Sequence, residues 1–377
     1  MLLIEISFWS ALGLIVYAHL GYPLLLWLLS ELFGEPARSR RAQDALPTVT
    51  LIIPAHDEAE VIARRVENAL ALDYPRDRFE VLVASDGSTD RTVELAREAG
   101  ADLVLDLPRG GKVAALNAAA RQAQGTIFAF SDANAYWRPD ALRRLVARFE
   151  DENVGYACGQ VHFTGGEEGN QEGLYWRYEM AVRRSESRLA GITGGNGAIY
   201  AVRPEAYVEL KADRGQDLSF PFELTKRGWR AVYEPGALAE ERMAPSVEGE
   251  FRRKRRMMWG LWDAMLKYGM LSPRGYSPGY LVEIYSHRLL RYLTPFLHVI
   301  ALLANAALLS EGGIYSLTMG MQLCLLAAAA LGRFIPLWPL RVAYYYVTVT
   351  ASIAAGLWDR LRAGEVPIGW EKVEGTR

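Results

Sequence analysis

Cysteine is scarce in this chain of 377 residues. Its two cysteines are Cys158, in a segment of mixed character, and Cys324, in a strongly apolar one. A disulfide framework or a thiolate metal site needs several cysteines at suitable spacings. We therefore expect neither kind of site in this protein.

Excess charge is also lacking, because the formal net charge at pH 7 is only −2. The basic residues are clustered beside apolar stretches and do not form the broad basic footprint of a nucleic-acid-binding surface. Nucleic acid is therefore not an expected partner. The sequence also lacks the spacing of a P-loop, which argues against a nucleoside triphosphatase.

Long apolar stretches occur at the two ends of the chain. The first covers residues 2–33, whose charged or histidine side chains are Glu5, His19 and Glu31. A stretch of this length can cross a bilayer of about 30 Å. Because it has neither a basic head nor a small-residue cleavage site, we expect an uncleaved anchor rather than a signal peptide. The sequence therefore predicts an N-terminal transmembrane helix over residues 1–34.

Apolar residues dominate again after Arg291. Two stretches are long enough to span a bilayer, and a third is shorter and rich in aromatic residues: 292–309, 314–331 and about 342–358. Core helices of a large soluble protein are the alternative, but the clustering of these stretches at both termini favours membrane spans. We predict a C-terminal transmembrane region of two or three spans over residues 292–358, followed by a tail, residues 359–377.

Basic residues indicate which side of the membrane the middle of the chain occupies. Arg38, Arg40 and Arg41 follow the first apolar stretch, and a basic interfacial segment, residues 251–291, precedes the second. By the positive-inside rule, the middle section faces the cytoplasm in a protein integral to the inner (plasma) membrane. The C-terminal tail is basic too, so an odd number of later spans would break the rule there. The sequence leaves the side of the tail open.

Between the apolar ends, residues 35–250 form a domain in which apolar runs alternate with helix-length segments. Three of the runs lead into acidic residues: 49–56 into Asp57, 79–85 into Asp86 and 126–131 into Asp132. The alternation predicts an α/β fold with a parallel, right-handed sheet. Because open parallel sheets bind ligands at the carboxyl ends of their strands, we expect the three carboxylates to converge on one crevice.

Other segments complete the predicted order of elements. Helices are expected at 58–72, 90–99, 111–124 and 174–189, and further strands at 101–105, 154–161 and 197–202. Asp57 is placed to cap the first of these helices, and Gly125 to end the third. Residues 165–173 have the composition of a flexible loop.

The segment from Asp86 to Asp90 follows a strand and opens a helix. Its Gly87 permits a tight turn, and the two aspartates can hold a nucleotide base or a ribose. Capping of the helix by Asp90 explains the same polar residues equally well. The sequence leaves both interpretations open.

Asp132 and Asn134 follow the third apolar run. Oxygen-bearing side chains at a strand end suit a hard cation such as Mg²⁺ or Mn²⁺, which proteins bind through one or two carboxylates plus substrate phosphates. Asn134 adds no charge, however, and an Asx-turn is the alternative explanation.

Lys112 follows two glycines at the predicted start of a helix. Backbone amides at a helix start, with an adjacent ammonium group, suit an anion such as a phosphate. A Gly-Gly-Lys sequence is more often a simple turn, so this motif alone is a weak signal.

Two further polar residues lie later in the domain. Asn196 stands in a glycine-rich sequence before a strand, where the backbone can approach a ligand closely. Asp217 opens a helix, and it either caps that helix or acts as a general base that takes the proton of a sugar hydroxyl. Neither interpretation of Asp217 is decisive from this segment alone.

Four arginines and a lysine occupy residues 252–256, and Trp259 follows them. Beside membrane stretches, such a run predicts a patch that sets topology and contacts membrane lipids. Guanidinium groups also have the donor geometry to hold a departing diphosphate. Both roles can apply to different members of the run.

In their order along the chain, these motifs resemble the membrane-anchored family 2 glycosyltransferases, a group that includes cellulose, chitin, hyaluronan and poly-N-acetylglucosamine synthases. The resemblance extends over nearly the whole chain. It begins with one leading membrane helix and the segment around Asp57, continues to Trp259, and includes Ser286-His287-Arg288 before the later spans and the tail 370–377.

The resemblance implies a GT-A (Rossmann-like) fold that uses a nucleotide sugar, expected to be a UDP-sugar, and Mg²⁺ or Mn²⁺. By position, Asp57 and Asp86 would contact uracil and ribose. The other implied donor-binding residues are Asp90, Lys112, Asn196, Arg253, Arg256 and Trp259. Asp132, with Asn134, would hold the metal-bound diphosphate, and Asp217 would be the base of an inverting transfer.

Three departures from the family pattern bear on this expectation. The second metal aspartate of the family is Asn134 here, and the acidic neighbour usual before the base is Gln216. The Gln-x-x-Arg-Trp motif of the processive synthases has no glutamine here, since Met257 and Met258 stand directly before Trp259. These departures count against processive polymerisation more than against sugar transfer itself.

The leading hypothesis is a cytoplasm-facing glycosyltransferase of envelope or exopolysaccharide assembly that acts on a lipid-linked or glycan acceptor. Single transfer competes with processive synthesis and secretion, for which a homo-oligomer or an export partner is a candidate. A hypothesis of another class is an inactive transferase-like scaffold of an export complex, motivated by Asn134 and Gln216. A nucleotidyltransferase would share the sheet and the metal site but would leave Asp217 without a role.

Overall fold

The structure is a computed structural model, and it describes residues 1–34, 46–164, 171–211, 213–242 and 247–363. Within these ranges there are eight β-strands: β1 Val49–Ala55, β2 Phe79–Asp86, β3 Leu103–Leu107, β4 Ile127–Phe130, β5 Tyr136–Trp137, β6 Val154–Thr164, β7 Tyr200–Val202 and β8 Arg230–Arg242. The same ranges contain thirteen α-helices: α1 Leu2–Val16, α2 Tyr22–Phe33, α3 Ile62–Leu70, α4 Thr92–Glu98, α5 Lys112–Gln122, α6 Ala141–Ala147, α7 Gln171–Arg188, α8 Gln216–Lys226, α9 Val247–Leu266, α10 Pro278–Glu283, α11 Arg291–Ala307, α12 Gly313–Gly332 and α13 Trp338–Ala363.

The sheet is mixed, with the strand order β3-β2-β1-β4-β7-β6-β8-β5. Strands β3, β2, β1 and β4 are parallel, β7 is antiparallel to both β4 and β6, β6 is parallel to β8, and β5 is antiparallel to β8. The three strands that lead into Asp57, Asp86 and Asp132 are thus adjacent and parallel, as the sequence predicted. The expectation of a wholly parallel sheet is wrong in the second half.

Helices cover both faces of the sheet. Every residue of β1 is buried, which is typical of a central strand covered on both sides. Apolar side chains of α3, α4 and α6 pack on one face and those of α5 and α8 on the other. The result is a three-layer α/β domain in which the carboxyl ends of β1, β2 and β4 meet at one edge.

Two strands, β5 and β8, have no counterpart among the sequence predictions. Pro235 and Gly236 interrupt β8, and the register with β6 shifts where Cys158 pairs with Tyr233 and Gln160 with Leu238. Such an irregularity removes the alternation by which a strand is recognised in sequence. The predicted strand 197–202 is confirmed only in its second half.

Three of the described helical segments are long and apolar enough to cross a membrane: Leu2–Phe33, Pro278–Ala307 and Gly313–Gly332. The first joins α1 to α2 through a π-helical turn, Tyr17–Gly21, and the second joins α10 to α11 through another, Ile284–Leu290. They confirm the predicted N-terminal helix and two of the C-terminal spans as candidates. The third C-terminal stretch forms α13, which is not in this group of candidate spans.

Candidate active site

Asp57 lies in the loop after β1. Its φ of 51° is a left-handed conformation that residues other than glycine seldom adopt. Its carboxylate accepts hydrogen bonds from the Thr89 amide at 2.7 Å and the Thr89 hydroxyl at 3.3 Å, and the Thr89 amide bond is the main reason that its pKa is lowered. Its own amide donates to Ser88 Oγ at 3.1 Å. The expectation that Asp57 caps the first helix is wrong, because α3 begins only at Ile62.

Asp90 accepts from the first amide of α4 but is not the N-cap of that helix, which is Arg91. One carboxylate oxygen accepts from the amide of Thr92, the first residue of α4, at 3.0 Å, and also from the Thr92 hydroxyl. The other accepts from the Ala59 amide at 3.1 Å. Asp90 therefore fixes the start of α4 and joins the loops after β1 and β2. Its contact with a nucleotide stays a prediction.

Asp86 is 1% exposed and ends β2. Its Oδ1 accepts from the amides of Gly110 at 2.7 Å and Gly111 at 2.9 Å. Its Oδ2 accepts from the Gly111 amide at 3.0 Å and from Arg109 Nη1 at 2.9 Å. A carboxylate has about four acceptor positions, so these contacts saturate it. Asp86 holds the loop before α5, and its predicted contact with ribose would have to replace one of these bonds.

Lys112 and Asp132 form the charged centre of the site. Lys112 is the first residue of α5, and its Nζ contacts Asp132 Oδ1, just after β4. Both side chains are 29% exposed. Asn134 follows in the turn after β4 and is partly exposed. The structure thus brings the predicted phosphate-binding lysine against the predicted metal-binding carboxylate.

Asp217, the predicted base, lies within electrostatic range of this pair. It is the second residue of α8, where Gly215 occupies the N-cap position, so Asp217 is not the helix cap. Burial raises the pKa of its carboxyl group, Lys112 opposes that rise and Asp132 adds to it. A carboxylate with a raised pKa is suited to accept a proton from a substrate hydroxyl.

The glycine-rich loop before β7 borders the charged centre. A Cβ atom at Gly197 would lie 3.5 Å from Lys112 Nζ and 3.7 Å from Asp132 Oδ2. The Gly195 amide donates to the Asp217 carbonyl at 2.7 Å, which joins the loop to the start of α8. A Cβ atom at Gly195 would lie only 2.0 Å from the Tyr156 hydroxyl. The loop therefore passes close to Lys112, Asp132 and the backbone of Asp217, and it requires glycine at residue 195.

Asn196, a predicted donor-binding residue, uses its side chain within the protein. Its Nδ2 donates to the Gly159 carbonyl at 2.6 Å, and its Oδ1 accepts from the Ile199 amide at 2.9 Å. The side chain is nine-tenths buried. It attaches the glycine-rich loop to β6, and its contact with the donor stays a prediction.

The sequence Ser286-His287-Arg288 supports the same loop from the membrane side. Arg288 Nε donates to Thr193 Oγ1 at 2.9 Å, and a Cβ atom at Gly194 would lie 2.3 Å from Arg288 Nη2. The Thr193 amide donates to Glu186 at 3.2 Å, and His287 Nδ1 lies 2.6 Å from the same carboxylate. These buried contacts tie the glycine-rich loop to the π-helical turn within the second candidate span.

The basic run in α9 is described only in part. The predicted ligand-binding side chains of Arg253 and Arg256 lie outside the described residues. Arg255 forms an ion pair with Asp359 of α13. Trp259 is 8% exposed, and its indole N–H has no hydrogen-bond partner among the described residues. Contact of Arg253, Arg256 and Trp259 with a nucleotide sugar stays a prediction.

Arg65 was not among the residues predicted from sequence. It lies on α3, is fully buried, and its Nε donates to Ser131 Oγ at 3.2 Å, next to Asp132. Its Nη1 donates to Asn68 at 2.9 Å. The sequence feature that could have identified Arg65 is its place on the apolar face of a predicted helix, between Ile62 and Ala69. It places a fixed positive charge beneath the end of β4.

The donor groups fit an open cation site. Asp132 contributes a carboxylate, and Asn134 in the turn after the same strand contributes a neutral amide oxygen. Among the described residues, no three or more His, Cys, Asp or Glu side chains are grouped so as to enclose a metal. Mg²⁺ and Mn²⁺ are commonly held by one or two carboxylates and completed by substrate phosphates. The residues therefore fit a cation that arrives with a diphosphate.

A mixed sheet with carboxylates at the ends of its parallel strands, enclosed by helices, belongs to the GT-A class of folds. The sequence model of Glycosyl transferase family 2 matches residues 50–206. This segment contains β1, β2 and β4 and the pair Lys112 and Asp132. The chain thus carries a Glycosyl transferase family 2 domain, and the family predicted from the motifs is confirmed.

Curated relatives cover similar parts of the chain. The beta-monoglucosyldiacylglycerol synthase of Nostoc sp. is 29% identical over 269 residues, which are 64% of this chain and 56% of that protein. The poly-beta-1,6-N-acetyl-D-glucosamine synthase of Staphylococcus aureus is 25% identical over 241 residues, 59% of this chain and 57% of that protein. The chain spans a little over half the length of these relatives.

One solved structure resembles nearly the whole chain. It is the mannosyltransferase PcManGT from Pyrobaculum calidifontis, in complex with GDP-Man and Mn²⁺, with a TM-score of 0.72 and 25% sequence identity. The superposition covers 94% of this chain and 99% of that one. The likeness therefore includes the flanking helices as well as the GT-A domain.

Proposed function

We propose that this protein is an inverting, metal-dependent glycosyltransferase. It moves a sugar from a nucleotide sugar to a lipid-linked or polysaccharide acceptor at the cytoplasmic face of the membrane. The observation that carries the proposal is the cluster of Lys112, Asp132 and Asp217 beside the carboxyl end of β4. The GDP-Man and Mn²⁺ bound to the structurally similar mannosyltransferase support a nucleotide-sugar donor and a divalent cation.

Asp132 and Lys112 bind the diphosphate end of the donor. Asp132, with Asn134, would hold Mg²⁺ or Mn²⁺, which when bound supplies positive charge to the oxygens of the leaving diphosphate. Lys112 contacts Asp132 in the structure, and it turns to the diphosphate when the donor is present. The backbone amides at the start of α5 favour an anion at the same place.

Asp217 acts as the general base. Its carboxylate accepts the proton of the acceptor hydroxyl, whose oxygen then forms a bond to the anomeric carbon of the sugar. The bond from that carbon to the diphosphate oxygen breaks, and the nucleoside diphosphate leaves. A single displacement of this kind inverts the anomeric configuration. Burial raises the pKa of Asp217, which favours proton capture, and Lys112 opposes that rise.

Asp57 and Asp86 bind the nucleoside. Asp57 keeps a partly exposed carboxylate at the end of β1, which makes it the better placed of the two for contact with a base. Asp86 acts on the nucleoside through the Gly110–Gly111 loop that it holds. Asp90 supports the same loops, and Asn196 supports the glycine-rich loop on the sugar side.

Two ion pairs support the proposed membrane orientation. Arg360 Nε lies 2.6 Å from Asp263 Oδ1, and Arg255 pairs with Asp359. They join the end of α13 to α9, so both lie on the side of the basic segment. By the positive-inside rule the basic tail is then cytoplasmic as well.

The acceptor is a lipid-linked or glycan hydroxyl, and single transfer is the favoured mode. The names of the relatives support both kinds of acceptor, since one is a glycolipid synthase and another a polysaccharide synthase. The run before Trp259 lacks the glutamine of the processive synthases. The three candidate spans among the described residues also leave little room for a polymer channel, so processive secretion would need further copies or an export partner.

A donor screen tests the proposal. Purified full-length protein in lipid nanodiscs is incubated with each of several UDP- and GDP-sugars, Mn²⁺ or Mg²⁺, and an extract of membrane lipids. We expect release of nucleoside diphosphate and a product of inverted anomeric configuration by NMR with at least one donor. Retained configuration would overturn the single displacement, and a ladder of long products would replace single transfer by polymerisation.

A further inference from the structure

A cavity of about 750 Å³ lies between the N-terminal helix and the α/β domain. One wall is apolar and consists of α2 side chains, chiefly Leu25, Leu26, Leu29 and Phe33. The opposite wall, called the polar wall below, contains Asp151, Asn153, Arg188, Arg230 and Glu283 beside the apolar Leu189, Ala190 and Val282. Cavities of a few hundred to about 1,000 Å³ accommodate small organic ligands. The two unlike walls suit a molecule with an apolar and a polar part.

The cavity is separate from the candidate active site. Asp151 and Arg230 lie at the amino-terminal ends of β6 and β8. Val202 of β7 pairs with Tyr156, near the start of β6, and with Phe128, near the start of β4. The starts of β6 and β4 therefore lie at the same edge of the sheet. Asp132 follows the other end of β4. The cavity and the charged centre therefore lie at opposite edges of the sheet, and a ligand in the cavity is not the acceptor.

The charges in the polar wall are largely balanced. Arg188 forms an ion pair with Glu31, and Arg230 Nη1 lies 3.3 Å from Asp151 Oδ2. Each arginine thus has a carboxylate partner, so the wall has no excess positive charge to attract an anionic headgroup.

Glu283 provides an unused acceptor in this wall. Its side chain is 3% exposed, and its Oε1 accepts one long hydrogen bond, at 3.4 Å, from the Ala190 amide. Its Oε2 is buried and has no hydrogen-bond partner within the described part of the chain. A buried polar atom without a partner is costly. A ligand hydroxyl that donates to this oxygen would remove the cost.

The apolar wall is continuous with the surface that would face a bilayer. Leu25 is 44% exposed and Phe33 is 73% exposed, and both belong to a helical segment long enough to cross a membrane. An acyl chain can therefore follow α2 from the bilayer into the cavity without crossing a polar surface. This continuity selects a membrane lipid over a water-soluble ligand.

We propose that the cavity binds one bilayer lipid whose headgroup carries a hydroxyl donor and no net negative charge, such as a diacylglycerol. Its acyl chains lie along Leu25, Leu29 and Phe33, and its hydroxyl donates to Glu283. The lipid is held between the membrane anchor and the amino-terminal edge of the sheet. This site adds to, and does not depend on, the proposed sugar transfer.

Photo-crosslinking tests the site in the full-length protein. Wild-type protein in phosphatidylcholine nanodiscs is labelled with a diazirine-bearing diacylglycerol, and labelled peptides are mapped by mass spectrometry. We expect labels on α2 near Leu29 and on α10. Leu29→Trp fills the cavity and should reduce labelling of α10 about tenfold or more. Leu24→Trp, on the outer face of the same helix at a residue 63% exposed, is the matched control and should leave it unchanged.

Headgroup selectivity tests the role of Glu283. Wild-type protein should label with the diacylglycerol probe about fivefold more strongly than with its methyl ether, which lacks the donor. Glu283→Met should abolish this preference, whereas Glu283→Gln keeps an acceptor oxygen and should retain it. Equal labelling of Leu29→Trp and Leu24→Trp would overturn the proposal. So would stronger labelling by a phosphatidylglycerol probe, or a preference for the hydroxyl that survives in Glu283→Met.

Discussion

The ammonium group of Lys112 lies against the carboxylate of Asp132, so the residue expected to hold a metal is already paired with a positive charge. A divalent cation that binds alone must compete with this lysine. A cation that arrives with a diphosphate offers Lys112 a new anionic partner and frees Asp132. The pair therefore couples metal binding to donor binding.

The first prediction concerns Mn²⁺ affinity without nucleotide. Lys112→Met removes the competing ammonium, so Asp132 should bind free Mn²⁺ roughly fivefold more tightly, the equivalent of about 1 kcal/mol for a partly exposed ion pair. The same change should weaken nucleoside diphosphate binding. Mn²⁺ titration by EPR measures the first effect, with Lys211→Met at an exposed residue as control. Weaker Mn²⁺ binding in Lys112→Met would contradict the coupling.

The second prediction concerns pH. Burial raises the pKa of Asp217 above its usual 3.8 and Lys112 opposes that rise. Because the base must be ionised, kcat/KM should fall as the pH decreases through this raised pKa. Lys112→Met removes the opposing charge, so the acidic limb of its profile should move to higher pH even though its maximal rate is lower. An acidic limb that stays in place or moves to lower pH would show that Lys112 does not lower the pKa of the base.

The third prediction concerns stability. Asp86→Asn places an amide NH₂ group against backbone amides and Arg109, so donors face donors at a buried residue. We expect a loss of about 1–3 kcal/mol in the free energy of unfolding, measured as a lower Tm in detergent. Asp106→Asn, at an exposed residue of β3, should change Tm little. Equal Tm values for the two variants would show that Asp86 does not hold the loop.

The fourth prediction compares two glycines of one loop. Gly195→Ala places a Cβ atom 2.0 Å from the Tyr156 hydroxyl and should lower Tm strongly. Gly197→Ala makes only ordinary contacts, at 3.5 Å or more, with Lys112 and Asp132. It should keep the wild-type Tm but reduce kcat/KM, because its methyl group occupies space beside the charged centre. Full activity in Gly197→Ala would show that the sugar does not bind beside Gly197.

The strand ends were predictable from sequence because they depend on local pattern. Short apolar runs with acidic ends mark buried parallel strands, and Asp57, Asp86 and Asp132 duly stand at neighbouring strand ends. The pattern failed for β8, where Pro235 and Gly236 interrupt the strand and pairing with β6 sustains it through a register shift. Helix starts were less well predicted, since the turn after Asp57 delays α3 to Ile62.

The partners of the site residues were not predictable from sequence. Asp86 is saturated by the Gly110–Gly111 loop, and Asn196 is attached to β6, because residues far apart in sequence meet when β2 and β6 take their places in the sheet. Arg65 gave little signal, since a buried arginine is recognised only by its surroundings. The sequence could indicate that these polar residues belong to the site. It could not indicate which of their oxygen atoms remain available to accept a hydrogen bond from a ligand.

The most direct test of the account is donor-dependent transfer by wild-type protein and by Asp217→Asn, with Mn²⁺ and a nucleotide sugar from the donor screen. The substitution removes the base but keeps the shape of the side chain, so donor binding and Tm should be preserved. We expect kcat to fall by about 10²–10⁴-fold. Unchanged turnover in Asp217→Asn would contradict the assignment of the base and, with it, the proposed mechanism.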